Sequence, residues 1–222
     1  MTGLSISRRI FLNGVTGTLL VGPVMPRFVS ESATRKTTSD ASYTTDTWLN
    51  EPKHWQLENG SLICSADPRT DFWRKTESGT ISDNGHFFRR RVRGDFICSV
   101  RISGDYHEIF DQAGLMVRLD PTQWVKCGVE LFEGHPNLSV VFTRDFSDWS
   151  TFKLPDPAGP VWIKLTRKGS TLNILYALND KQFSLCRSGF IGNADELEVG
   201  RMCAAPVGTG FQARFEDFSI SE

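Results

Sequence analysis

The chain has 222 residues, 39% of them apolar and 23% charged, and its 25 basic and 26 acidic side chains leave a formal charge of -1. That length suits one domain with a short appendage, and the composition excludes wholesale disorder or a collagen-like repeat. The even mixing of charge offers neither the basic footprint of a nucleic-acid binder nor a polybasic membrane patch.

Residues 1–33 read as an export address. Ser7-Arg8-Arg9-Ile10-Phe11-Leu12-Asn13 places adjacent arginines ahead of a Phe-Leu pair, a pattern that resembles the bacterial twin-arginine signal, with Asn13 where Lys is usual. The apolar run from Gly14 to Val24 is too short and too rich in glycine to span a bilayer, which takes about 20 apolar residues. Export by the twin-arginine (Tat) translocase to the periplasm or beyond is therefore expected. Residues 34–47 form a Ser/Thr-rich linker, and residues 48–222 a single domain.

From Trp48 onward, apolar residues recur with period two rather than at helical spacing. Phe96, Cys98, Val100 and Ile102 alternate with polar neighbours, as do Ala113, Leu115, Val117 and Leu119, then Val125, Cys127, Val129 and Leu131, and later Leu172, Ile174, Tyr176 and Leu178. In the last segment Phe211, Ala213 and Phe215 keep one parity while Phe218 and Ile220 take the other, which predicts a bulge near Glu216-Asp217. Turn signals such as Glu58-Asn59-Gly60, Asp83-Asn84-Gly85, Arg93-Gly94-Asp95, Glu133-Gly134 and Lys168-Gly169 separate these runs. Twelve to fourteen short strands so punctuated predict an all-β sandwich or jelly roll of two antiparallel sheets.

The five cysteines (Cys64, Cys98, Cys127, Cys186, Cys203) are odd in number and show no C-x-x-C spacing. They read as core thiols rather than a disulfide framework or a metal site. His54, His86, His107 and His135 stand singly and read as surface or turn residues. Asp67, Asp71, Asp83, Asp105 and Asp111 fall in loops without EF-hand spacing and read as loop caps. No nucleophile elbow, zincin, P-loop or dinucleotide motif occurs, and neither a cofactor nor a metal is called for.

Parity supplies the site candidates. Gln112, Met116 and Arg118 share one face of a strand, and Trp124, Lys126, Gly128 and Glu130 share the matching face of the next. Thr143 and Asp145 follow Ser139 on a third strand, and Asp148-Trp149-Ser150 opens a fourth. Thr70-Asp71-Phe72-Trp73-Arg74 adds an acid and an aromatic ring, with Asp71 and Trp73 expected on one side and Phe72 and Arg74 on the other. Tryptophan beside forked polar groups on a concave sheet suits a sugar, whose C–H face packs on the ring while its hydroxyls take the hydrogen bonds. The alternative for the same residues is a solvated face laced by weak salt bridges.

Five segments together carry a family resemblance: Thr70-Asp71-Phe72-Trp73, the run Asp111 to Arg118, the run Trp124 to Glu130, Ser147-Asp148-Trp149-Ser150, and the run Val199 to Pro206. In order and over roughly residues 48–221, they resemble the DUF1349, or regulation-of-enolase-like, family. The resemblance implies a concanavalin A-like lectin/glucanase jelly roll, similar to the accessory domain of some xylosidases. It leaves function open, because folds host many activities. The leading expectation is a non-catalytic module for carbohydrate or another small polar ligand, using Asp71, Trp73, Gln112, Arg118, Trp124, Lys126, Glu130, Asp148 and Trp149. A glycoside hydrolase or lyase is the alternative; its two carboxylates would be Glu130 with Asp148 or Asp71, or less well Glu196 with Glu198. A regulatory protein-interaction module is the third reading.

Overall fold

A computed structural model describes residues 46–155, 159–178 and 181–222. The expected export signal and residues 34–45 of the expected linker lie outside the described residues. Strands β1 (Thr47–Leu49), β2 (Trp55–Glu58), β3 (Ser61–Ala66), β4 (Phe72–Arg74), β5 (Ile81–Asp83), β6 (His86–Arg93), β7 (Phe96–Gly104) and β8 (Gln112–Asp120) occupy the first half. They are followed by β9 (Gln123–Phe132), β10 (His135–Arg144), β11 (Phe146–Lys153), β12 (Val161–Lys168), β13 (Thr171–Ala177), β14 (Ser184–Phe190), β15 (Glu196–Ala204) and β16 (Phe211–Ser221). No helix among the described residues is long and apolar enough to cross a membrane.

Fourteen strands form two antiparallel sheets of seven, ordered β1-β6-β15-β8-β9-β10-β11 and β14-β13-β12-β7-β16-β3-β2, and β4 with β5 makes a separate hairpin. The fold is an all-β jelly-roll sandwich. Its filling comes from the predicted parity: Cys98, Val100 and Ile102 of β7 face Leu115 and Val117 of β8, Val125 and Val129 of β9, and Ile163 and Leu165 of β12 in one apolar cluster. Turns sit where the glycine signals place them. Asn59-Gly60 (φ 48° and 82°) and Glu133-Gly134 (φ 53° and 75°) have positive φ at both central positions, the hairpin geometry that matches strand twist. The predicted bulge is present: β16 shifts register against β7 between Glu216 and Ser219, with Asp217 at φ 51°.

One boundary and two burial patterns differ from the sequence expectation. Thr47 opens β1 opposite Arg89, and Asp46 is buried against two arginines, so residues 46 and 47 belong to the domain rather than the linker. Arg201 takes the inward parity of β15 with Val199 and Cys203 and is fully buried. Its guanidinium donates to Asp46 Oδ2 at 2.6 Å and lies over the rings of Phe88 and Phe218; Arg90 Nε reaches Asp46 Oδ1 at 2.5 Å. His86, expected at a surface or turn, is buried at the start of β6.

β7 alternates buried and accessible positions, as a strand with one wet face should. β8 and β9 are instead buried at nearly every position, so both faces of the first sheet's centre are closed. Close strand approach is built into that centre. Gly114 pairs with Gly128, and a Cβ on Gly128 would lie 2.1 Å from the Ala113 carbonyl oxygen, while one on Gly114 would lie 1.9 Å from that of Cys127. Backbone atoms cannot yield as a side-chain tip can. Gly128→Ala is expected to cost about 1–3 kcal/mol, read as a lower urea midpoint at unchanged m-value.

Candidate functional site

The outer face of the first sheet runs in rows across its strands. Gln112 lies opposite Glu130, Gly114 opposite Gly128, Met116 opposite Lys126 and Arg118 opposite Trp124. β10 continues them with Asn137, Ser139, Val141 and Thr143. Trp149 of β11 stands beside Val141. The charged ladder expected from parity is thus assembled on adjacent strands.

The open concavity expected around it is absent. Residues 67–85, carrying the β4–β5 hairpin, lie across this face as a cover. Phe72 and Trp73 pack on Phe87, Met116, Trp124, Val141 and Met202 in a second apolar cluster. Trp124, proposed as a sugar platform, is 1% exposed, and Arg118 and Lys126 are 4% and 3% exposed. The expected division of residues 71–74 by alternation also fails. Phe72 and Trp73 are both buried in one apolar cluster with the sheet, because β4 is only three residues long and lies on that face. Phe72 fits so closely that a Cβ on Gly85 would meet its ring at 2.5 Å.

Buried cations on the sheet explain how the cover is held. A charge taken out of water needs a partner and satisfied hydrogen bonds. Arg118 makes a forked pair with Asp83 at 2.7 and 2.8 Å. Lys126 Nζ donates to the Phe72 carbonyl at 2.7 Å and to Asp71 Oδ1 at 3.2 Å. Both acids come from the cover. At its tip Arg74 and Lys75 grip Asp145 at 2.8 and 2.5 Å; those two hydrogen bonds hold the Asp145 carboxyl below the usual carboxylate range. At its root Thr70 exchanges hydrogen bonds with the backbone of Ala205.

His86 fastens the same root. Its Nε2 accepts the Asp67 backbone N–H at 2.9 Å, so Nδ1 carries the proton and donates to the Asn50 carbonyl at 2.6 Å. Burial lowers its pKa, outweighing the Asn50 hydrogen bond and the Asp67 charge that favour the cation. A second proton would set N–H against N–H.

At the Gln112–Glu130 end the layer becomes polar and then opens. Glu130 is fully buried; its Oε2 accepts Ser139 Oγ at 2.5 Å and Trp149 Nε1 at 3.0 Å. Gln112 Nε2 donates to Asp71 Oδ1 and to the Phe110 carbonyl, each at 3.2 Å. Above them lies an aromatic rim. Phe110 stacks on Phe132, and the edges of Phe132, Phe110 and Trp73 meet Trp149. Trp149, Phe132 and Asp71 are half-buried and form the margin that solvent reaches. Next to it Asp111 is buried, and burial raises its carboxyl pKa even though His107 and Glu108 donate backbone N–H groups to Oδ2.

Asp148 does not join the site. It lies opposite Phe142, which faces the sandwich filling, and it is exposed and paired with Arg187 at 3.1 Å. Neighbours in a strand point to opposite faces, so Trp149 and Asp148 cannot both line the covered layer. Glu196 and Glu198 also stand apart, paired with Arg91 and Arg93 and with Arg89. Among the described residues no cluster of three His, Cys, Asp or Glu side chains could hold a metal ion. Parity did not reveal Asp83, Phe110 or Phe132 as parts of this layer. The available signal was chemical: two cations predicted on one sheet face call for acids, and Asp71 and Asp83 stand in loop segments of the sequence.

Comparisons place this architecture among known proteins. The family model described as "Protein of unknown function (DUF1349)" matches residues 48–222. "Regulation of enolase protein 1" of Saccharomyces cerevisiae is 37% identical over 175 residues, covering 79% of this chain and 88% of the relative. A crystal structure of a functionally unknown S. cerevisiae protein superimposes with a TM-score of 0.77 at 36% identity, covering 81% of this chain and 97% of that one. At fold level, carbohydrate-binding module CBM66 from Bacillus subtilis gives a TM-score of 0.54 at 14% identity over 81% of this chain and 98% of that one. A xylan β-1,4-xylosidase from Bacillus halodurans gives 0.63 at 15% identity, where this chain covers 41% of the enzyme.

Two outcomes follow from the anchoring of the cover. Arg118→Ala leaves Asp83 without its partner and is expected to lower stability by about 2–3 kcal/mol, less than for a fully buried pair because Asp83 is partly solvated; limited proteolysis should then cut first within residues 67–85. Because the folded pKa of His86 lies below its unfolded value near 6.5, the unfolded chain binds more protons in acid. The His86 contribution is present above about pH 6.5 and is lost as pH falls toward the folded pKa. Thermal melts from pH 7.5 to 5 should show a slope that flattens in His86→Gln.

Proposed function

The chain belongs to the DUF1349 family, and from that premise we propose that it is a non-catalytic β-sandwich module binding a carbohydrate or similar small polar ligand at the aromatic margin of the covered layer. The observation that carries this reading is the polar band of Gln112, Glu130 and Ser139 running out beneath Trp149 and Phe132. Arg118 and Lys126 take their partners from the cover, whereas Glu130, Ser139 and Trp149 bond to one another on the sheet, so the band extends beyond the ion pairs that hold the hairpin. Aromatic rings beside amide, hydroxyl and carboxylate groups are the chemistry that recognises sugars. The fold-level likeness to a carbohydrate-binding module supports it.

In this reading Asp71, Gln112, Glu130, Trp73 and Trp149 serve the ligand, while Arg118, Trp124 and Lys126 hold the cover. Of the carboxylates the hydrolase alternative would use, Asp148, Glu196 and Glu198 lie away from Glu130, while Asp71 stays at the same margin, bonded to Gln112 and Lys126. The Ser7–Asn13 motif supports export by the twin-arginine translocase, which would put the module in the periplasm or outside the cell.

The test is a glycan array followed by calorimetric titration of hits. Trp149→Ala and Glu130→Gln should each weaken binding at least tenfold, while Arg187→Ala, remote from the margin, should leave it unchanged. Circular dichroism checks that each variant is folded. A folded wild-type protein that binds nothing across neutral, acidic and amino sugars, or hits indifferent to both margin variants, overturns the proposal.

A further inference from the structure

The sulfurs of Cys64 and Cys203 stand 3.3 Å apart. The two residues are 139 positions apart in sequence and sit on different sheets, Cys64 on β3 of the second and Cys203 on β15 of the first. Each points into the filling and is 1% exposed. Small neighbours let the sheets converge there. Cys64 lies opposite Ala213 on β16, Cys203 lies opposite Ala113 on β8, and all four belong to the one apolar cluster. Cys98, Cys127 and Cys186 make no comparable sulfur contact. This pair is therefore sorted from the other three by geometry, which an odd cysteine count could not do.

We propose that Cys64 and Cys203 are a site of covalent modification, an inter-sheet disulfide that closes when the chain folds in the presence of a small-molecule disulfide. One cysteine thiolate attacks a sulfur of the oxidant and displaces its first thiolate, leaving a mixed disulfide on the chain. The second cysteine thiolate attacks the chain sulfur of that bond, forms the Cys64–Cys203 link and displaces the second thiolate. The chain loses two protons and two electrons, and the oxidant leaves as two thiols. Closure belongs to folding and not to the finished sandwich. Once the sheets meet, no oxidant reaches either sulfur, and the hydrogen bond to Cys64 together with burial pushes the Cys203 thiol well above its usual pKa, which starves the exchange of thiolate. The state of the pair thus records whether the chain folded in a reducing or an oxidising compartment. It lies at the root of the cover, since Cys64 is two residues before Ala66 at the end of β3 and Cys203 two before Ala205, which Thr70 binds. The inference does not depend on ligand binding.

The experiment unfolds the full reduced chain, refolds one half with oxidised and reduced glutathione and the other with reducing agent alone, and exposes part of the latter to oxidised glutathione after folding. Free thiols are alkylated, and intact mass and peptide maps are read. The oxidatively refolded protein should lose the mass of two hydrogens, yield one linked peptide pair carrying residues 64 and 203, and keep Cys98, Cys127 and Cys186 alkylatable on unfolding. Its melting temperature should rise by several degrees, as expected for closing a long loop, whereas protein folded first and oxidised afterwards should stay unchanged. Cys64→Ser should abolish both the mass loss and the gain in melting temperature; where that variant does not fold, the wild-type peptide map alone decides. Native refolded protein with five free thiols, or a link joining other cysteines, overturns the proposal.

Discussion

Two cations pointing into a dry layer organise the outer half of this molecule. Arg118 and Lys126 project from adjacent strands of a sheet whose other face is already committed to the sandwich filling. A lysine or arginine so placed is tolerable only with an anion and carbonyl oxygens brought to it. Asp83, Asp71 and the Phe72 carbonyl supply them, and all three arrive on one segment. The ion pairs therefore do more for register than for net stability. They fix where residues 67–85 cross the sheet, and the rings of Phe72 and Trp73 then find their sockets. The first sheet thus becomes the middle of three layers, which is why β8 and β9 lack the wet face that β7 retains.

Much of this was legible in the order of residues, and the failures have physical reasons. Strict alternation in β7, β8 and β9 identified the filling, and the same bookkeeping put Gln112, Arg118, Trp124, Lys126 and Glu130 on a common face. The break of parity after Phe215 located the bulge. Parity says which side a residue takes, however, and nothing about what else covers that side. The cover is invisible to it because β4 and β5 are three residues each, too short to alternate, and their burial comes from contacts made far along the chain. Asp148 was misassigned by treating three consecutive residues as one cluster. The turn at Asp145, with φ 61°, hands the covered face to Ser147 and Trp149 and leaves Asp148 on the other side. Arg201 and His86 show a second blind spot, since an ionisable residue at an inward position reads as an interruption until its partner is seen.

The covered layer is not uniform along its length, and that gradient bears on function. Around Met116, Met202 and Phe87 it is greasy and sealed. Toward Glu130 it gains hydroxyl, amide and carboxylate groups, and the aromatic rings there reach the surface. Asp71 joins the two ends of the layer, since it takes hydrogen bonds from Lys126, which holds the hairpin, and from Gln112 at the margin.

The buried carboxylate of Asp46 has a mechanical consequence. Arg201 grips it from the middle of a sheet, and the guanidinium lies over Phe88 of β6 and Phe218 of β16. The first described residue and the final strand are thus riveted at a single point. Asp46 ties the chain just ahead of β1 to Arg90 of β6 and Arg201 of β15. A fragment beginning at Trp48 would forfeit both ion pairs of Asp46.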